Sequence, residues 1–307
     1  MHVAYHAPAD ALARSGTPPI GSPPMSASRL RALLDAPGLL TVPGCSDALG
    51  ARLIEQAGFD AVYMTGFGTA ATVLAQPDLG FVDLDDMVTT VGRIVAGTTL
   101  PVIADADTGF GDVTDTVRRY EAAGAAAIQL EDQVSPKRCG HMADKQVVPT
   151  AEMVERLRSA DAARTDMLIV ARTDARAPEG LDAAIDRAHR YVDAGADVLF
   201  LEALESMPEL ERVGAEPFGV PLVFNRVEGG RSPELTAADV ERLGFGVLLL
   251  PISLLLAATQ AMQSALDEIV RHGTPAPNAF GPDPFSRFND VVGLREVLAE
   301  QSAQAAD

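Results

Sequence analysis

Apolar residues along the chain gather into eight short runs: LLTVP (39–43), AVYMTG (61–66), PVIAD (101–105), AAIQLE (126–131), MLIVAR (167–172), DVLFLE (197–202), PLVFN (221–225) and FGVLLLP (245–251). Most are continuous rather than alternating, the pattern of strands covered on both faces. Between them lie segments with helical apolar spacing, at 47–57, 85–96, 113–123, 150–160, 181–194 and 237–243. Several of these end in Ala-Gly before the next run, at Gly58, Gly124 and Gly195, where glycine suits a left-handed helix end. Eight strand–helix units in one chain predict a single α/β domain, a (β/α)8 barrel. A doubly wound sheet is the alternative, but the first turn lacks a G-x-G-x-x-G sequence.

The pattern changes after the eighth run. Residues 253–272 read as one long helix, 273–285 (GTPAPNAFGPDPF) as a Pro/Gly-rich connection, and 290–301 as a last helix. A helix held off by such a linker must either fold back on its own barrel or pack on a neighbouring subunit. The Pro, Gly and Ser content of the N-terminus predicts a loose arm over 1–25, without the basic and apolar regions of a signal peptide. The expected division is an arm at 1–25, a catalytic barrel at 26–275, and a linker and C-terminal helix at 276–307.

Composition narrows the class. With 307 residues, 47% hydrophobic and 22% charged, the chain can bury a large core and is neither disordered nor fibrous. A net charge of −19 argues against nucleic acid or an anionic membrane as partner. The longest apolar stretch, 247–258, is interrupted by Pro251 and Ser253 and is too short to span a bilayer. Two cysteines, Cys45 and Cys139, make no disulfide framework, so a reducing, cytoplasmic setting is expected.

Candidate chemistry gathers where the runs end. Strands three to seven finish in Asp105, Glu131, Arg172, Glu202 and Asn225, and in a (β/α)8 enzyme the C-terminal ends of the strands carry the working residues. Asp105 and Asp107 stand two apart, so on an extended chain both carboxylates face one side. With Glu131 on the next strand they form an oxygen-only set suited to Mg²⁺ or Mn²⁺; an acidic rim paired with Arg172 is the plainer alternative. The segment 131–145, EDQVSPKRCGHMADK, holds Cys139, His141 and both of the chain's lysines, Lys137 and Lys145. Basic neighbours favour a thiolate at Cys139, whereas Cys45 has no such company and reads as a packing residue. In so acidic a chain, the two lysines are expected to concentrate positive charge where a dianionic substrate enters. Exposed amides at Thr65, Gly66 and Phe67 could hold a carboxylate.

PGCSDALGARLIEQAGFDAVYMTG, QPDLG, ADADTGFGD, LEDQVSPKRCGH, VARTDA and FNRVEGGRSP together resemble the isocitrate lyase/phosphoenolpyruvate mutase superfamily over residues 26–275. The resemblance implies a tetrameric barrel with a swapped last helix. It implies Mg²⁺ at Asp105, the expected direct ligand, with Asp107, Glu131 and Asp78. Substrate contacts would fall on Tyr63, Thr65, Gly66, Phe67, Gly140, Arg172, Glu202 and Asn225, and Cys139, beside His141 on a gating loop, would be the catalytic acid. Phosphonomutases have Asn-Ser where this chain has Cys139-Gly140, and NRVEGGRSP resembles the dimethylmalate lyase and petal-death-protein branch. The expected reaction is retro-aldol cleavage of a 2-hydroxy diacid, of 2-alkylmalate or methylisocitrate type, with Tyr63 or a metal-linked carboxylate as base. Hydrolysis or decarboxylation of oxaloacetate, phosphonomutase chemistry, and a non-catalytic scaffold are the alternatives. The substrate would be a small di- or tricarboxylate and the assembly a homotetramer.

Overall fold

A computed structural model of the chain describes residues 27–138, 140 and 144–304. The 1–25 arm, Cys139 and His141 lie outside the described residues. All eight apolar runs are strands: β1 (Leu40–Cys45), β2 (Val62–Met64), β3 (Val102–Asp105), β4 (Ala127–Glu131), β5 (Leu168–Thr173), β6 (Val198–Leu201), β7 (Leu222–Asn225) and β8 (Val247–Leu250). They pair in parallel in chain order, and β1 returns to β8 with Leu40 opposite Val247 and Pro43 opposite Leu250, closing the barrel. Glu131 is paired with Arg172 in register, and Asn225 with Leu249, so polar strand ends meet at one rim.

The helices in chain order are α1 (Ala27–Asp35), α2 (Ala48–Gln56), α3 (Gly66–Thr69), α4 (Leu84–Gly97), α5 (Val113–Ala122), α6 (Thr150–Ala163), α7 (Arg176–Glu179), α8 (Leu181–Asp193), α9 (Met207–Gly214), α10 (Ala237–Arg242), α11 (Ser253–His272), α12 (Pro284–Val291) and α13 (Leu294–Gln304). Their starts are chemically marked. Asp47, Asp83, Asp112, Ser206 and Thr236 each turn a side-chain oxygen onto an amide of the first turn, satisfying donors the helix leaves unpaired. The Ala-Gly ends behave as expected, with Gly58, Gly124 and Gly195 at φ of 87°, 93° and 106°.

Alternate strand residues divide the core in two, since successive side chains leave opposite faces. Ile169 and Ala171 pack outward under the helices, while Leu168 and Val170 join Val42, Tyr63, Ile103, Phe200, Val223 and Val247 inside the barrel. Helix α1, which the apolar pattern did not predict, closes the N-terminal end of the barrel by inserting Ala27 and Leu30 into that inner cluster. The expected last helix is corrected too. It is two helices, α12 and α13, which part at Gly293 with φ 77°, a conformation that ends a helix. None of the residues in α11, α12 or α13 is fully buried. Among the described residues no helix is long and apolar enough to cross a membrane.

Candidate active site

The C-terminal rim encloses a cavity of about 60 Å³ lined by Tyr63, Thr65, Phe67, Asp78, Asp105, Lys137, Gly140, Arg172, Glu202 and Asn225, with an apolar side formed by Phe200, Val227, Leu249, Pro251 and Ile252. Every described residue that the sequence singled out lies here or in direct contact with a lining residue.

Asp105 ends β3 at the centre. Its Oδ2 accepts from the Gly66 amide at 3.2 Å, and its Oδ1 accepts from the Asp107 amide at 3.2 Å and from Gln129 Nε2 at 3.3 Å. Thr65 caps α3 by accepting from the Gly68 amide, which turns the chain so that Gly66 faces Asp105. Tyr63 donates its hydroxyl to Gln129 Oε1 at 3.0 Å, so Tyr63, Gln129 and Asp105 form one buried chain of hydrogen bonds. Burial, followed by the charge of Asp105, holds the Tyr63 phenol well above its ordinary value of 10.0.

Beside Asp105 the acidic cluster closes on Lys137. Its Nζ is 2.6 Å from Asp78 Oδ1 and 2.7 Å from Asp107 Oδ1. Asp107 adopts φ 47°, which turns its carboxylate into the cluster. Burial pushes the Asp107 carboxyl up to about 6; Lys137 opposes this, and the negative charges of Asp105 and Asp78 reinforce it. Burial likewise raises Glu131, against the pull of Arg172, and Glu131 Oε1 is buried with no hydrogen-bond partner among the described residues.

On the far side, Arg172 is bound most closely by Asp174, with Nε 2.9 Å from Oδ2 and Nη2 3.1 Å from Oδ1. Glu131 and Glu202 flank it, each at 3.4 Å. Its guanidinium lies 5.1 Å from the Phe200 ring centroid, a cation–π contact. Asn225 Nδ2 donates to Glu202 Oε2 at 3.0 Å, and Asn225 Oδ1 is buried with no hydrogen-bond partner among the described residues.

The lysine expectation is corrected here. Lys137 and Lys145 are both 6% exposed, and both are ion-paired, Lys145 with Asp174 at 2.7 Å. Neither is free charge for an incoming dianion; each is tied to carboxylates of other elements. Sequence shows a charge and its neighbours along the chain, but not a partner 29 or more positions away such as Asp174 or Asp107. Cys45 is a packing residue as expected: it is buried, and burial with the nearby charge of Asp47 pushes its thiol up to about 12. Three participants went unread. Gln129 stands out in sequence only as the single amide inside an apolar run, and Asp174 and Asp132 only as acids beside sites already marked. Asp132 Oδ2 accepts from the hydroxyls of Thr173 and Tyr191, both at 2.7 Å, and its Oδ1 from the Asp174 amide at 2.8 Å.

The donor chemistry suits a hard divalent cation: four carboxylates, with neither thiolate nor imidazole among the described residues around them. Glu131 Oε1 is the kind of unpaired buried acceptor that a metal-bound water satisfies. Among the described residues no group of three His, Cys, Asp or Glu side chains converges closely enough to hold an ion by itself.

Fold and site thus define a (β/α)8 barrel with a rim cavity set between an acidic cluster and a buried arginine. The family model for phosphoenolpyruvate phosphomutase matches residues 30–270. The chain is 43% identical over 277 residues to 2,3-dimethylmalate lyase of Eubacterium barkeri, covering 89% of this chain and 96% of that one. Among solved structures, oxaloacetate acetylhydrolase with the inhibitor 3,3-difluorooxaloacetate superposes with a TM-score of 0.86 at 35% identity, over 92% of this chain and 99% of the other. Phosphonopyruvate hydrolase with oxalate and Mg²⁺ gives 0.81 at 31% identity, over 91% and 99%. The chain belongs to the isocitrate lyase/phosphoenolpyruvate mutase superfamily, in the dimethylmalate lyase branch, and is a carbon–carbon lyase.

Proposed function

We propose that the enzyme cleaves the C2–C3 bond of a 2-alkylmalate, releasing a 2-keto acid and a shorter carboxylate. The observation that carries this reading is the division of one cavity into an acidic side at Asp105, a cationic side at Arg172, and an apolar side of Phe67, Val227, Leu249 and Ile252. A malate has one carboxylate for Arg172, another that a divalent cation held on the acidic side would bind, and alkyl substituents that suit the third.

Asp105 is the proposed direct ligand of Mg²⁺ (or Mn²⁺), with Asp107, Glu131 and Asp78 acting through water. When bound, such an ion polarises the 2-hydroxyl and lowers its pKa. Gln129 orients Asp105 and keeps the Tyr63 hydrogen engaged, so a carboxylate of the acidic cluster is better placed than Tyr63 to take the hydroxyl proton. Arg172 stabilises the charge that collects on the departing carboxylate. Thr65, Gly66, Phe67, Gly140, Glu202 and Asn225 form the surrounding substrate wall. Cys139, beside His141, then protonates the carbanion, a role that rests on the Lys-Arg-Cys-Gly-His sequence. The assembly is proposed as a homotetramer in which the C-terminal helices pack on a neighbouring copy.

A screen of 2-hydroxy and 2-keto diacids with Mg²⁺, following keto acid release, tests the substrate class. Release from 2-methylmalate or a 2,3-dialkylmalate supports it, and no release from any malate defeats it. The likeness to oxaloacetate acetylhydrolase favours a second reading, hydrolysis of oxaloacetate, whose oxalate and acetate products separate the two in the same screen. Cys139→Ser should abolish turnover while calorimetry shows unchanged Mg²⁺ binding; near-normal activity would remove the cysteine from the mechanism.

A further inference from the structure

Asp174 does not line the cavity, and nothing in the reaction above uses it, yet three hydrogen bonds from two cations converge on its carboxylate. Oδ2 accepts from Arg172 Nε at 2.9 Å; Oδ1 accepts from Arg172 Nη2 at 3.1 Å and from Lys145 Nζ at 2.7 Å. Lys145 Nζ also donates to the Gly140 carbonyl at 2.5 Å. The pair is closed to solvent, with side-chain exposures of 1% for Lys145 and 0% for Asp174. From beneath, the Asp174 amide is held by Asp132, whose other oxygen is fixed by Thr173, Tyr191 and Arg187.

Gly140 completes the arrangement from the other side of Arg172. A Cβ at this position would overlap Arg172 Nη2 and lie 2.7 Å from Glu202 Cγ. The Gly140 backbone therefore rests directly on the guanidinium, so that a side chain there would have to displace Arg172. One carboxylate thus fixes the arginine and, through a lysine, the peptide that lies on it.

We propose that Asp174 and Lys145 are positioning residues of the lyase site: Asp174 aims Arg172, and Lys145 carries the same restraint to Gly140, seating it on the guanidinium. This rests on the reading that Arg172 meets a substrate carboxylate and that Cys139, next in sequence to Gly140, supplies the proton.

The two limbs separate by mutation. Lys145→Met removes the tie to Gly140 and leaves Arg172 its paired bonds to Asp174. The expected result is a fall in kcat of about 100-fold, as for a group displaced by about 1 Å, with KM changed by less than about threefold. Asp174→Asn removes the shared negative charge and turns one acceptor oxygen into a donor facing the cations, and should raise KM about tenfold or more as well as lowering kcat. Lys145→Arg keeps the charge and the donors and should recover part of the lost kcat.

Calorimetric titration with 3,3-difluorooxaloacetate and Mg²⁺ gives a second measure that does not depend on turnover. Affinity should be near wild type in Lys145→Met and weakened in Asp174→Asn. A role confined to folding would lower the melting temperature while leaving kcat per folded molecule and ligand affinity unchanged, and that result overturns the proposal. So does a folded Lys145→Met enzyme with wild-type kcat. If the wild type cleaves none of the diacids, the substrate reading fails by itself, and the Asp174→Asn titration still decides whether Asp174 aims Arg172.

Discussion

Gly66 shows how little space separates backbone from chemistry in this site. Its amide donates to Asp105 Oδ2, and a Cβ there would fall 2.7 Å from that oxygen and 3.2 Å from Asp105 Cγ. The neighbour is the carboxylate itself, held by Gln129 on its other oxygen, so it cannot swing aside without breaking the buried chain. Gly66→Ala should therefore weaken Mg²⁺ binding by about tenfold or more, the scale of disturbing a supporting hydrogen bond at a metal ligand, while thermal stability changes little. Unaltered affinity in a calorimetric titration would count against Asp105 as the direct ligand. Sequence made the carboxylates legible because a charge at the end of an apolar strand is costly without a use. It did not make Gln129 legible, since an amide inside a strand carries no charge to draw notice, and its value lies in two partners, Tyr63 and Asp105, far away along the chain.

At the scale of elements, the eight strands could be read because both of their faces are covered, which leaves continuous apolar runs that no surface segment imitates. Helix α1 escaped because it carries only Leu30, Leu33 and Leu34 as large apolar residues and follows directly on the Pro/Ser-rich arm. Its role is visible only in three dimensions. Leu30 is fully buried against the strand residues of the inner core, and Leu34 packs on the same cluster. Leu30→Ala should cost about 2–5 kcal/mol, the range for emptying a packed leucine site, read as a lower denaturation midpoint. Because α1 seals the end of the barrel opposite the cavity, kcat and KM of the folded enzyme should stay unchanged. A shift in kcat without loss of stability would mean that this end communicates with the site. Segment 131–145 shows the converse: its chemistry was legible, but the partners that bury its lysines were not, because Asp78, Asp107 and Asp174 come from other elements.

The whole molecule carries a net charge of −19, yet its C-terminal helices expose much apolar surface. Val270 is 84% exposed, Phe285 78% and Leu266 60%, with Met262, Phe288 and Leu298 also open. Beside them an apolar groove of about 440 Å³ runs between α2 and α11, lined by Leu49, Leu53, Leu254, Ala258 and Met262. A soluble monomer seldom leaves a patch of this kind uncovered, and a second copy of the same surface can cover it symmetrically. The proposed tetramer makes a definite claim about mass: light scattering on the native enzyme should give four times the chain's 32.2 kDa. Leu266→Glu with Val270→Glu places two charges on the most exposed turn of α11 and should shift the mass toward smaller species, more so at low salt, where like charges repel over longer range. The barrel core contains neither residue, so the strand and helix signal in circular dichroism should persist in the smaller species. A wild-type enzyme that runs as a 32.2 kDa monomer would refute the assembly. A double variant that stays tetrameric would move the interface away from α11.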